Sequence, residues 1–193
     1  MKKQDIHQHI LDTAESLIQT HGFNAFSFKD ISALVGVKTS SIHYYFPTKA
    51  DLGKAVIKQH IDMLCDELEQ LNQKNITCKK KLELFIDGIV TKTYLSNHKM
   101  CLGGMLASDV LTLPLIMQQE VRIFFQRLEE WVKQLLLEAL TKKEFHLSKK
   151  DIKNETLVIF SLLEGALLLA RLYQDDLHLT VAKKHILAHL TQS

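Results

Sequence analysis

Proline and glycine are scarce, with 2 prolines and 7 glycines in 193 residues. Both residues punctuate helices, so their rarity leaves long stretches with nothing to interrupt a helix. β-branched runs are few as well, and the fold class expected is all-α. Cysteine is also sparse. Cys65, Cys78 and Cys101 form no CxxC pair and cannot all be bridged, which argues against a secreted disulfide framework and for a reducing cytosol. The N-terminus, MKKQDIHQHI, lacks the apolar core of a signal peptide, and no stretch of about 18 uncharged apolar residues offers a membrane span. A cytoplasmic protein with no membrane partner is expected. No charge sign dominates: 24 Lys and Arg against 22 Asp and Glu leave +2. Any contact with nucleic acid must therefore rest on local placement of charge. The sequence holds no Gly-rich phosphate loop, no GxSxG, no HExxH and no close carboxylate pair on an expected pocket wall, so neither an enzyme nor a cofactor is expected. His185 and His189 lie four apart without a third ligand, and no metal site is expected.

What is present is helical periodicity. Ile6, Ile10, Leu11, Ala14, Leu17 and Ile18 make one stripe over residues 5–21, closed by Gly22. Phe23, Phe26 and Phe28 follow as core plugs. The stretch 27–52, SFKDISALVGVKTSSIHYYFPTKADL, then organises the chain. Ser27 and Asp30 have the spacing of a capping box and open a short helix with Ile31, Leu34 and Val35 as its apolar face. Gly36 supplies the turn and Val37 an apolar plug. A second helix spans about 39–46, with Ile42 and Phe46 inward and Thr39, Ser40, His43 and Tyr44 outward. Pro47 ends it, and Thr48 and Asp51 form another capping box. Lys49 then stands in the first turn of a long helix reaching about residue 71, where backbone N–H groups, helix dipole and ammonium would all suit a phosphate. Two short helices across a tight turn, exposing small polar groups, aromatics and lysine, describe a surface that reads DNA.

The polar run 72–78 marks a boundary. The organisation expected is a DNA-binding domain over 1–47, a connecting helix over 48–72 and a second helical domain over 73–193. Its pieces are expected at about 79–97, 101–112, 114–142, 150–174 and 178–191, giving nine helices in all. Candidates for a small-molecule pocket in it are Phe85, Ile89, Tyr94, Cys101, Met105, Met117, Phe124, Phe125, Leu128, Trp131, Phe160 and Leu163, each of which is equally ordinary core material. Tyr94 and Trp131 carry polar tips that need a partner. Cys101 reads two ways, as a thiol sensor at a helix start or as a small buried residue. TLVIFSLLEGALLLARL is apolar nearly all round, so one of its faces needs a second chain. With the last helix it suggests a four-helix dimer interface through Leu162, Ala166, Leu169, Val181, Ile186 and Leu190.

The sequence resembles the TetR/AcrR family of bacterial transcriptional regulators, whose pattern runs Ile-Ala, Gly-Val-Ser, Leu-Tyr-x-Tyr-Phe-x-Ser/Thr-Lys-x-x-Leu. It stands here as Ile31-Ser32, Gly36-Val37-Lys38, Ile42-His43-Tyr44-Tyr45-Phe46 and Thr48-Lys49-Ala50-Asp51-Leu52. LLEGALLLAR and Cys101-Leu102-Gly103-Gly104 add weaker likenesses. Three positions depart from the pattern. Ser32 replaces alanine, Lys38 replaces a serine cap, so that the second helix can begin at Thr39, and His43 replaces a tyrosine, making its contact depend on protonation. The resemblance implies a homodimer that binds a double-stranded DNA operator and holds a small-molecule inducer of unknown identity. Base contacts are expected from Lys29, Lys38, Thr39, Ser40 and Tyr44, and phosphate contacts from Ser27, His43, Tyr45 and Lys49. The long helix is expected to carry the signal between domains. The competing readings are a lipophile carrier without DNA activity and a redox or electrophile sensor using Cys101.

Overall fold

The computed structural model describes residues 3–191, and among them it contains nine α-helices and no strand. They are α1 Lys3–His21, α2 Phe28–Val35, α3 Thr39–Tyr45, α4 Lys49–Asn72, α5 Cys78–Lys92, α6 Leu102–Ser108, α7 Leu115–Thr141, α8 Ile152–Tyr173 and α9 Leu177–Thr191. Short 3-10 turns occupy Phe23–Ala25 and Val110–Thr112. The expected helix over 101–112 is thus shorter, because Asp109 leaves helical geometry and starts the second 3-10 turn. The expected piece over 79–97 ends early too, at Lys92, and Asn97 and His98 both adopt left-handed backbone.

The chain divides into two compact units, one of residues 1–63 and 102–124, the other of 64–101 and 125–193. The first unit is built on α1. Ile10, Ala14 and Ile18 are wholly buried, and they share a core with Ile31, Ile42 and Leu52. Phe23, Phe26 and Phe28 plug it as expected. On α2 the buried face is Phe28, Ile31 and Val35, and Leu34 is 61% exposed. Spacing of three and four from Phe28 selects that face, and Leu34 falls one position off it.

This unit also takes in α6 and the start of α7, which the sequence reading had put with the later helices. Tight approaches hold them there. A β-carbon added at Gly22 would lie 3.2 Å from Oδ2 of Asp109 and 3.6 Å from Cε of Met105. One added at Gly103 would lie 2.4 Å from the Phe124 ring. Asn24 donates to Thr112 Oγ1 at 2.8 Å, and His60 bonds Glu15 at 2.8 Å while stacking on Phe124.

In the second unit α8 packs along α9, and Leu82, Ile86, Val132, Leu136 and Ala170 are wholly buried. The start of α5 is capped twice: Thr77 Oγ1 accepts from the Lys80 N–H at 3.1 Å, and Glu144 accepts from the Cys78 N–H at 2.6 Å. Burial, with the Glu138 and Glu144 carboxylates behind it, pushes the Cys78 thiol up to about 11. α8 has the length and composition of a membrane-crossing helix, with mean hydropathy 1.7, although Glu164 interrupts it and leaves no uncharged stretch of 18 residues. It packs as a core helix through Ile159, Phe160, Leu163, Leu167 and Ala170.

Candidate nucleic-acid interface and effector site

The interface is assembled from two helix starts and one turn. At α2, Asp30 Oδ2 accepts from both the N–H and the hydroxyl of Ser27, at 2.7 Å each, and Ser27 Oγ accepts from the Lys29 N–H. These bonds hold the Asp30 carboxyl below its ordinary range. They also engage the donors of Ser27, which caps α2. Gly36 closes α2 at φ 75°, a left-handed position glycine enters without strain. Ser32 then pins the turn: its carbonyl accepts from the N–H groups of Gly36 and Val37, and its hydroxyl donates to the Val37 carbonyl at 2.6 Å. In the sequence Ser32 stands out only as a replacement for alanine.

Lys38 is the N-cap of α3 without a side-chain cap bond, so the helix begins at Thr39 as expected. Ile42 and Phe46 anchor it in the core, and this turns Ser40, His43 and Tyr44 outward, with Tyr44 69% exposed. Thr39 and Tyr45 are half-buried. Ser27, Lys29, Thr39, His43 and Lys49 line one open cleft of about 580 Å³ with Phe26 and Phe28. Lys38, Ser40, Tyr44 and Tyr45 lie outside it. His43 Nδ1 is 3.2 Å from the Pro47 carbonyl, which can only accept, so that nitrogen carries the proton. Nε2 then donates to a phosphate only in the imidazolium form. His7, passed over in the sequence because it interrupts an ordinary apolar stripe, stacks on Phe46 at 5.1 Å and meets Tyr45 edge-on at 5.4 Å. It packs against the end of α3.

Lys49 departs most from expectation. Thr48 and Asp51 do form the capping box, with Thr48 N–H to Asp51 Oδ2 at 3.0 Å and Asp51 N–H to Thr48 Oγ1 at 3.1 Å. The ammonium, however, turns inward. It donates to the carbonyls of Phe23 and Phe26 and lies 4.5 and 4.2 Å from the centres of their rings. Burial lowers its pKa. It ties the α1–α2 connection to the start of α4.

The residues expected to form a pocket are divided. Met105, Met117 and Phe124 belong to the first unit, where Met117 packs against Gly53 and Phe23. Phe85, Ile89, Tyr94, Cys101, Phe125, Leu128, Trp131, Phe160 and Leu163 belong to the second. There Phe85 contacts Trp131 and Phe160, with ring centres 5.1 and 6.2 Å apart. The polar tip of Trp131 is already engaged, donating to Asn72 Oδ1 at 3.0 Å. Tyr94 meets His98 edge-on, and burial with Asp176 and Asp175 nearby raises its pKa. Cys101 is half-buried and bonds the Glu164 carboxyl, whose pKa burial raises.

The expected dimer residues divide as well. Ala166, Ile186 and Leu190 are buried within the subunit. Leu162 and Leu169 are half-buried and Val181 is 56% exposed. The open face of α8 runs instead through Leu157, Ser161, Gly165, Leu168 and Leu172, and a β-carbon at Gly165 would meet nothing within 4 Å.

Comparison with known proteins agrees with this architecture. The family model described as bacterial regulatory proteins, tetR family, matches residues 10–56. None of the curated proteins matches the chain. Among solved structures, a TetR transcriptional regulator from Legionella pneumophila is 42% identical, with 94% of this chain and 95% of that one covered and a TM-score of 0.88. A TetR-family regulator from Agrobacterium tumefaciens is 28% identical, with 99% and 100% covered and a TM-score of 0.90. The regulator FadR from Bacillus subtilis, solved with stearoyl-CoA, shares the fold at 18% identity, with 96% and 97% covered and a TM-score of 0.76. Alike in fold to all three and 42% identical to the first over nearly its whole length, the chain belongs to the TetR family of transcriptional regulators.

Proposed function

We propose that this regulator is a homodimeric repressor, released from a near-palindromic operator when a small-molecule inducer binds its second unit. Regulators of its family bind DNA, form dimers and bind small molecules. The observation that carries the reading is α3, a helix anchored by Ile42 and Phe46 that offers Lys38, Ser40, His43 and Tyr44 to solvent. Lys29, Lys38, Thr39, Ser40 and Tyr44 would read base edges in the major groove, with His43 and Tyr45 on phosphates. Two such helices must sit about 34 Å apart to enter successive grooves. An inducer need only favour a conformer that breaks this spacing, with a coupling of about 1 to 3 kcal/mol. The open face of α8 with Val181 of α9 would meet the same face of a second copy. The reading assigns no reaction to the chain, and acting on bacterial DNA would place it in the cytoplasm.

The test is a gel shift on the DNA upstream of its own gene, across a salt series with random duplex as competitor. Specific, salt-sensitive retention with two chains per site supports the reading. Thr39→Ala should weaken the specific complex and spare random DNA. A folded dimer that binds no duplex at low salt would overturn it.

A further inference from the structure

Charge is unevenly placed along this chain. Residues 74–81 and 142–153 hold nine of its 24 Lys and Arg but two of its 22 Asp and Glu, so these two segments carry more than the whole net charge of +2. Folding joins them within the second unit. Glu144 accepts from the N–H groups of Cys78 and Lys79 at 2.6 and 3.4 Å, and Glu138 bonds Lys142 at 2.6 Å and lies 3.8 Å from the Lys81 ammonium. The two acids inside the segments are engaged locally, Glu144 by those N–H groups and Asp151 by the Ser148 hydroxyl. Eight of the nine lysines are exposed, and Lys81 is buried. Lys80 pairs with Glu83 and Lys142 with Glu138, whereas Lys79, Lys149, Lys150 and Lys153 form no ion pair among the described residues. A face of like charges repels itself, and a polyanion relieves it. The chemistry of the face selects one kind. Every basic residue in it is lysine, a point charge on a flexible stem that suits phosphate and lacks arginine's fork for a guanine edge. Its one phenyl ring, Phe145, is buried, so no aromatic platform is offered to the bases of a single strand. No large apolar side chain of either segment is exposed, and such groups are what enter a lipid surface.

We propose that this lysine face is a second DNA-binding surface, one that grips duplex phosphates without reading sequence. It shares no residue with the interface on α2 and α3 and goes beyond the repressor reading. Each ammonium that meets a phosphate releases about one counterion, so the attraction is strong at low salt and falls steeply as salt rises. The lysines act through charge, so arginine should replace them and glutamine should not. A regulator with operator on its two reading helices would still hold a further duplex through this face.

The experiment compares the full-length protein with two triple variants, one carrying Lys79→Gln, Lys149→Gln and Lys150→Gln, the other with arginine at the same three positions. None of the three lysines forms an ion pair, so thermal melts should coincide. Binding of a fluorescent random duplex is followed by anisotropy across a salt series. The glutamine variant should bind about tenfold more weakly at low salt, with the slope of log affinity against log salt reduced by about two to three, and the arginine variant should match the wild type. Wild type saturated with the upstream DNA of the gel shift should still capture the labelled duplex, and the glutamine variant should not. Equal slopes in wild type and glutamine variant, an arginine variant that behaves like the glutamine one, or no capture beyond the first duplex would overturn the inference. So would lysine-dependent attachment to anionic lipid vesicles stronger than that to duplex. In each of these cases specific retention of the upstream DNA would leave the repressor reading standing. If that retention were missing while lysine-dependent binding of random duplex persisted, the repressor reading would fall and this surface would stand.

Discussion

A β-carbon placed on Gly53 of α4 would lie 2.5 Å from Cε of Met117 on α7 and 2.8 Å from the Phe23 ring. The glycine is a socket for the methionine. Gly53→Ala gains helix propensity on an ordinary surface, but here overpacking costs about 1 to 3 kcal/mol and should win. Denaturant titration of Gly53→Ala, Met117→Ala and the double variant should give a coupling of about 1 kcal/mol or more. Additive effects would mean that the contact is slack.

The inward turn of Lys49 predicts an effect different from that of a phosphate contact. Lys49→Met keeps the stem and leaves the Phe23 and Phe26 carbonyls without their donor. Stability should fall by about 1 to 2 kcal/mol, and DNA affinity should fall with an unchanged slope against salt. Lys38→Ala, at a base-reading position, should weaken the operator complex more than the random duplex at constant melting temperature. A reduced slope for Lys49→Met would return its ammonium to the DNA.

His43 tests the phosphate contacts. It lines the cleft with Lys29, and its Nδ1 lies 3.2 Å from the Pro47 carbonyl. His43→Ala should weaken operator and random duplex alike, whereas Thr39→Ala should weaken the operator alone. Unchanged binding to both duplexes would remove His43 from the interface.

Cys78 gives a pH effect of another kind. Its folded thiol is held up to about 11 against an ordinary 9.0, so above 9.0 the unfolded chain releases a proton that the native state retains. Stability should therefore decline as pH rises through this window. In Cys78→Ala that share of the alkaline decline should vanish. Below it, thiol labelling of the native protein should reach Cys65 and Cys101, both half-buried, long before Cys78. Equal labelling rates would contradict its burial.

The open face of α8 should decide association. Leu168, 58% exposed, becomes a buried charge at a partner's surface in Leu168→Glu. Sedimentation should show monomers at micromolar concentration with unchanged helical circular dichroism, and specific DNA retention should be lost. A stable Leu168→Glu dimer would move the interface elsewhere.

What could be read in sequence was local. The Ser27–Asp30 and Thr48–Asp51 boxes, the left-handed Gly36 and the start of α3 after Lys38 are bonds within three to five residues, set by backbone geometry that composition reveals. Helical spacing likewise gave nine helices and most buried faces, though it misassigned Leu34 within its own helix. The destinations of long side chains needed the folded chain. Lys49 reaches carbonyls 26 and 23 residues away, and Trp131 finds Asn72 across 59 residues. Sequence periodicity marks a side chain as inward without saying which inward surface receives it. Thus Ala166, Ile186 and Leu190 proved to be buried within the subunit, and Met117 proved to fill the hollow at Gly53. Glu164 was visible as a break in an apolar helix, but its unpaired oxygen is a property of the packing around it. Hydrophobic burial is non-directional, so pattern alone fixes which helices form, and only close packing decides which faces meet.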